Sequence, residues 1–444
     1  MQLELKLSWI AKTNPFLLLS IITSISAIDV LMVRILGLIG SQYSLIISLL
    51  VFLAFFTISE IFITVLLKKI ASFESLLKYN SKGFGLLFRL LLVSPIAPIV
   101  IMAFILFQIF EGYSYHVVLI PIVTITSYGS AIIILTMLLV KFVRWYSINH
   151  DYMLLAYTIA IGAIVFNLAI LILNLPAQLY DYTFVRHSMK IQDIIINEGI
   201  PTRYFVGTYT YSSFFSFTLI WVATSVLLRN YFKKIGKLVY WLLVAIPLIY
   251  FLAQYPQVFD YLFSSVKDYD PILYARLSSI IFGLSKTAGG VFFAIGFWVI
   301  ARSIDNRKIR NYLLFSGHGI LLLFVASQAN SVIISPYPPF GLVAISSVIL
   351  ASLMTFVGLY FTALSISSDT RVRAQIDKKL TQLAFVKKMG TAQMEVDLYR
   401  QVLPILHKSS NEDNIPTSLE PDDLRQFVKE ALEALKDPTS KSRK

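Results

Sequence analysis

A chain of 444 residues that is 57% hydrophobic and only 14% charged is not an ordinary soluble protein, in which about 25% of residues carry charge. It contains no cysteine, which excludes disulfides, thiolate metal sites and a cysteine nucleophile. Its net charge of +13 does not mark a nucleic-acid binder, because the basic residues lie in short loops between apolar runs and not on one polar domain.

This composition predicts an all-α polytopic transmembrane helix bundle. Apolar runs of about 20 residues are long enough to cross a bilayer. After a polar lead over residues 1–14 they fall at about 15–38, 44–67, 84–110, 117–140 and 152–175, then 206–228, 238–253, 272–300, 312–334 and 340–366. That makes ten spans. Nine is the alternative, since the seventh is short and the first carries two charges. Small residues around Ala27 imitate a signal-peptide cleavage site, but the apolar run continues past them, as in an uncleaved anchor.

Placing the N-terminus inside puts 16 Lys and Arg in the inner loops. It leaves four, Arg186, Lys190, Arg203 and Lys267, in the outer ones. The positive-inside bias then predicts a cell-membrane protein with both termini cytoplasmic.

Two outer loops, 176–205 and 254–271, are long enough to fold. The first contains MKIQDIIINEG, which reads as a short surface helix. The turn SPYPPFG at 335–341, with three prolines, pins spans nine and ten as a tight hairpin. Beyond residue 366 the composition turns polar. A juxtamembrane cytoplasmic helix is expected over 367–408, with Gly390 as a break point. A linker over 409–419, an amphipathic helix over 420–437 and a disordered end over 438–444 follow. The stripe Val372, Ile376, Leu380 and Leu383 has helical spacing. Neither tail helix buries its stripe alone. Each needs the other, a second copy of the chain, or another protein.

The candidate site begins with Lys286, inside span eight. An ammonium group in the bilayer centre costs roughly 2.5–3.5 kcal/mol, so it is expected to face protein or water with a partner. It reads as one half of a structural pair, as a ligand or proton contact, or as a snorkelling side chain. Asp29, in span one, matches it in depth. Asn167, Gln328 and Asn330 fall in the same outer half and extend that layer. Glu60 and His318 match each other in the inner half, as a second buried layer. Arg34 is not placed to pair with Asp29 on its own helix, and Arg89 reads as a snorkelling residue. The hydroxyl-rich TYTYSSFFS at 208–216 reads either as pocket lining or as an interfacial cluster bonded within the bundle.

The five histidines show no metal-ligand spacing on a helix face, so neither metal nor cofactor is expected. SKTAGG at 285–290 lacks the glycines of a phosphate loop. Its Ala288, Gly289 and Gly290 suit close helix packing. No hydrolase, metalloprotease or kinase signature appears.

Three segments, LSKTAGGVFFAIGFWVIAR, SPYPPFGL and GTAQME, together resemble a group of archaeal multi-pass membrane proteins with no assigned activity, over roughly the last third of the chain. The last span leading into a long cytoplasmic helix also looks like the membrane half of a sensor kinase, without the kinase. The expectation is therefore a non-enzymatic, sensor-like or scaffolding membrane protein. Its partners would be the lipid bilayer and a cytoplasmic protein reached through residues 367–437, with a homo-oligomer as a further option. The alternative is a secondary transporter using Asp29 with Lys286 and Glu60 with His318.

Overall fold

The computed structural model describes residues 14–36, 44–71, 96–112, 114–116, 118–179, 184–186, 200–331, 338–369, 373 and 383–412. The helices, in chain order, are α1 (Pro15–Leu36), α2 (Ser44–Ala71), α3 (Ile96–Gly112), α4 (Leu119–Asn149) and α5 (Tyr152–Leu179). They continue with α6 (Ile200–Arg229), α7 (Phe232–Ile235), α8 (Lys237–Leu252), α9 (Pro256–Tyr269) and α10 (Pro271–Arg302). The last three are α11 (Arg307–Ser327), α12 (Leu342–Ser368) and α13 (Ala384–Glu412).

Among the described residues, eight helices are long and apolar enough to cross a membrane, and α3 and α8 are shorter apolar helices at the positions of spans three and seven. Large apolar side chains such as Phe107, Phe110, Leu173 and Ile249 lie on the outside. An apolar exterior of this extent belongs against lipid, not water. The chain is an integral membrane protein built as an all-α helical bundle.

The segments Arg229–Lys237 and Arg302–Arg310 meet where Lys234 contacts Ser303, at what is called here the basic end; Lys68 and Lys69 lie in the last turn of α2, and Lys141 and Arg144 near the end of α4. At the far end a three-residue ribbon, unanticipated from sequence, pairs β1 (Ser114–His116) antiparallel with β2 (Phe184–Arg186). The expected loop 254–271 folds as α9. Its Asp260 carboxylate accepts the Tyr274 hydroxyl, which holds Asp260 below its ordinary value. The segment MKIQDIIINEG, Arg89, the side chains of Arg34 and Asn330, and the helix expected over 420–437 lie outside the described residues.

α12 is the centre of the fold. Every residue from Leu342 to Ala363 is buried, because α1, α2, α4, α11 and α13 all pack on it. A helix apolar on all sides can only sit inside a bundle. Most of its hydroxyls find an acceptor in the helix itself. Ser347, Ser352, Thr355 and Thr362 each donate to a carbonyl one turn back.

The α11–α12 contact is the tightest in the bundle, and glycine makes it so. A Cβ on Gly319 would stand 2.7 Å from the Thr355 amide nitrogen and 2.9 Å from the Ala351 carbonyl. A Cβ on Gly358 would collide with Ser316 and the Tyr312 carbonyl. Small residues let backbones approach where lipid gives no hydrophobic drive to associate. The sequence-predicted role of Gly289 and Gly290 is of the same kind. Gly289 abuts the Phe217 ring, and Gly290 faces Phe324 and Leu321. Ala288 instead lines an apolar groove beside α8.

The tail departs from expectation. α12 stops at Ser368, and Asp369 is extended (φ −114°, ψ 108°), so the last span does not run straight on as one helix. α13 turns back and packs against α12, α4 and α5. The bundle itself covers its apolar face, a partner the sequence reading did not consider. Phe385, Val386, Met389 and Ala392 are buried there, the larger three worth about 1.5–3 kcal/mol each. The Phe385 ring lies 4.9 Å from that of Tyr157. Trp145 Nε1 donates to Gln393 Oε1 at 3.0 Å, and Asn149 Nδ2 donates to the Lys388 carbonyl at 2.6 Å. Gly390 does not break the helix. It is the point at which α13 meets Ile366 of α12.

Gly319→Ala should destabilise the detergent-solubilised protein by roughly 1–3 kcal/mol through overpacking. Gly129→Ala is the control: it sits in α4 with nothing within 4 Å of the added methyl. It should be neutral, or stabilising by up to about 1 kcal/mol from helix propensity. Thermal unfolding of both variants checks the pair.

Candidate functional site: a buried hairpin turn between two charges

α11 ends at Ser327, and a 3-10 turn over Gln328–Ser331 follows. α12 starts after Gly341, whose φ of +95° favours glycine. Gln328, Ala329 and Phe340, around this turn, are buried. Both helix ends are thus buried, and residues 332–337 between them lie outside the described residues. The last carbonyls of α11 and the first amides of α12 lack intrahelical partners, and protein groups must supply them.

Asp29 supplies one end. It projects from α1 and is 0% exposed. Its Oδ2 accepts the backbone N–H of Gly341 at 3.0 Å and of Ala344 at 3.1 Å. This is an N-cap made by a distant residue, with the anion at the positive end of the helix dipole.

Lys286 supplies the other. It is 8% exposed. Its Nζ donates to the Ser327 carbonyl, in the last turn of α11, at 3.5 Å, and to the Tyr209 hydroxyl at 2.8 Å. A cation at a helix C-terminus is the complementary dipole contact.

The expected Asp29–Lys286 pair is therefore replaced by two contacts. Each charge serves one arm of the same hairpin. Their depths match because the two helix ends they serve are joined by one short turn.

Gln328 locks the turn to α10. Its side-chain Nε2 donates to the Phe282 carbonyl, and its Oε1 accepts the Lys286 backbone N–H at 3.2 Å. Phe282 and Lys286 are the two ends of one i→i−4 helix rung, so a single amide clamps it. Behind the lysine, Ser212 Oγ donates to Asn167 Oδ1 at 2.8 Å. Asn167, Ser213, Ser216, Lys286 and Ser327 line a cavity of about 20 Å³. That is room for one water and too little for a solute. The backbone of Asn330 continues the 3-10 turn.

Tyr209 was missed as a partner, although the sequence marked its hydroxyl-rich stretch. α6 and α10 run parallel towards the basic end. Tyr209 lies 20 residues from Arg229 and Lys286 lies 16 from Arg302. The offset of four residues is about 6 Å, the reach of an extended lysine. Matching residues by backbone depth alone ignores that reach. Among the described residues, Lys286 has no carboxylate partner; the ion pair there joins Lys267 to Asp260.

Glu60 and His318 do not form a layer. His318 Nδ1 bonds the Leu314 carbonyl of its own helix at 2.8 Å. Its ring sits between Phe16 and Trp298, at 5.6 and 5.0 Å. Glu60 is 5% exposed and faces Ser346 in the second turn of α12. The Ser346 hydroxyl donates to the Val343 carbonyl at 2.9 Å. Both Glu60 oxygens then lack a hydrogen-bond partner among the described residues.

No group of three or more potential metal ligands occurs among the described residues. No family model, curated protein or solved structure matches the chain.

Two predictions separate capping from ion pairing. Asp29→Asn keeps an oxygen that accepts both amides and should leave the thermal midpoint close to the parent. Asp29→Leu should lose roughly 1–3 kcal/mol from orphaned donors. Had Asp29 neutralised Lys286, Asn would itself cost about 3–5 kcal/mol. Glu60→Met should hold or raise stability, because it removes a buried carboxylate with no hydrogen-bond partner among the described residues. A loss as large as that of Asp29→Leu would contradict the isolation of Glu60.

Proposed function

We propose that the chain is a non-enzymatic, sensor-like coupling protein of the cell membrane. In this reading both termini are cytoplasmic, and α12 carries the state of the far-end turn to α13 and a cytoplasmic partner. The observation that supports it is the setting of α12. The helix is 27 residues long, about 40 Å. It is held by Asp29 and the buried turn at one end and by α13 at the other. A rigid, close-packed element passes a displacement along its length, since packed interfaces shift between discrete arrangements and do not deform smoothly.

The charge asymmetry between the two ends supports the orientation. The half-exposed outer side of α13, with Lys387, Glu395 and Tyr399, offers the partner a polar face. Residues beyond α13, through 437, extend that reach, and a second copy of the chain is an alternative occupant.

The transporter reading keeps one supporting observation. Lys286 is a buried cation without a carboxylate partner among the described residues, beside a water-sized cavity. Against it stands the satisfaction of both helix ends by the chain's own groups. Discontinuous helices that bind cargo leave such ends open for it.

Hydrogen exchange on the full-length protein in lipid nanodiscs tests coupling. Lys286→Met should speed exchange in 384–396 severalfold relative to α3, which does not touch the turn. Exchange in 384–396 that matches the parent would remove the coupling reading. Solute flux lost in Lys286→Met and kept when residues 370–444 are deleted would establish transport instead.

A further inference from the structure

We propose that the groove between α8 and α10 is a binding site for one anionic phospholipid, its phosphate on the basic end and one hydrocarbon chain between the helices. The groove holds about 450 Å³ and is lined by apolar side chains, among them Val239, Leu242 and Ile246 of α8 and Ala288, Val291 and Phe292 of α10. It is open to the side. Leu242 and Ile246 are exposed, and so is Trp241 beside them.

The groove has a length and a polarity. On α8 it runs from Val239 to Tyr250, 11 residues or about 16 Å. That is half of a hydrocarbon core of about 30 Å, one leaflet's worth of chain. A partner helix crossing the whole membrane would need a groove twice as long. It starts two residues past Lys237, the first residue of α8.

Charge collects at that end alone. Arg229, Lys233, Lys234, Lys237, Arg302, Arg307, Lys308 and Arg310 stand against the single acid Asp305 over residues 229–237 and 302–310. The two loops are tied together where Lys234 Nζ donates to Ser303 Oγ at 3.4 Å. Lys237 precedes the first groove residue, Val239, by two positions, and Lys233 lies on the same segment; both are exposed. Basic clusters between transmembrane helices at a membrane surface suit phosphate headgroups.

α8 itself is built loosely. Pro247 sits inside it and removes the helix bond to the Leu243 carbonyl. Its packing falls mainly on α10. A lipid chain in the groove would complete that interface.

The test is native mass spectrometry of the full-length protein released from nanodiscs of mixed phosphatidylcholine and phosphatidylglycerol. The expected result is one retained phosphatidylglycerol per chain, preferred over phosphatidylcholine on the order of tenfold. Lys233→Gln with Lys237→Gln should erase the preference while leaving lipid bound. Ile246→Trp, which fills the groove, should expel both lipids. Should Ile246→Trp fail to fold, soluble glycerol phosphate serves as the second measurement. It should not displace the lipid, and displacement would show a free-phosphate site and overturn the chain-binding half. Equal retention of both lipids by the parent would overturn the headgroup half. A dimer that Ile246→Trp dissolves, with no lipid retained, would overturn the proposal in favour of a second copy.

Discussion

A buried chain reversal in a membrane protein has to satisfy its backbone without water. An unpaired amide or carbonyl in that setting costs several kcal/mol. The α11–α12 hairpin meets this constraint with side chains from three other helices and one of its own. Asp29 of α1 takes the amides. Lys286 of α10 takes a carbonyl, Tyr209 of α6 holds the amine, and Gln328 fastens the turn to α10. Remove these and α12 loses its fixed end. The glycines at 319 and 358 then have no register to keep, and the face on which α13 lies is no longer defined. Two ionised groups in the same buried region need not meet, because helix ends are themselves partial charges of about half a unit.

The architecture was legible because it depends on long apolar runs and on the sign of the loops between them. Both are carried by many residues, and no single substitution hides them. The centrality of α12 was legible in principle as well. Leu342–Ser368 has no polar face, the mark of a helix with no side turned to water. The two paired layers were not legible. Depth along a helix is one coordinate, and pairing needs two more. Asp29 and Lys286 agree in depth yet point at different strands of one turn. Glu60 and His318 agree in depth and point at different helices altogether. Backbone acceptors and donors, the partners actually used, leave no letter in the sequence.

The tail shows a different limit. The stripe Val372, Ile376 and Leu380 lies outside the described residues, and for α13 periodicity says only that a face must be covered. The cover came from Phe142, Trp145 and Tyr157 on spans four and five. Asp369, whose extended backbone ends α12, gives no proline or glycine signal. The GTAQME motif acquires a physical meaning once α13 is docked. Gly390 admits Ile366, Thr391 faces Asn149, Gln393 meets Trp145, and Met389 just before it is buried.

One feature of the hairpin remains unused by its packing. Asp29 Oδ1 and both oxygens of Glu60 have no hydrogen-bond partner among the described residues, and all three lie against the first two turns of α12. The amide end of a helix is where negative charge is tolerated best, so two carboxylates there are less costly than elsewhere in the bundle. They are still underbonded. A protein selected for stability alone would gain from an amide or an aliphatic side chain at Glu60. The start of α12 therefore carries both a carboxylate oxygen that caps two amides, Asp29 Oδ2, and a carboxylate, Glu60, with no hydrogen-bond partner among the described residues.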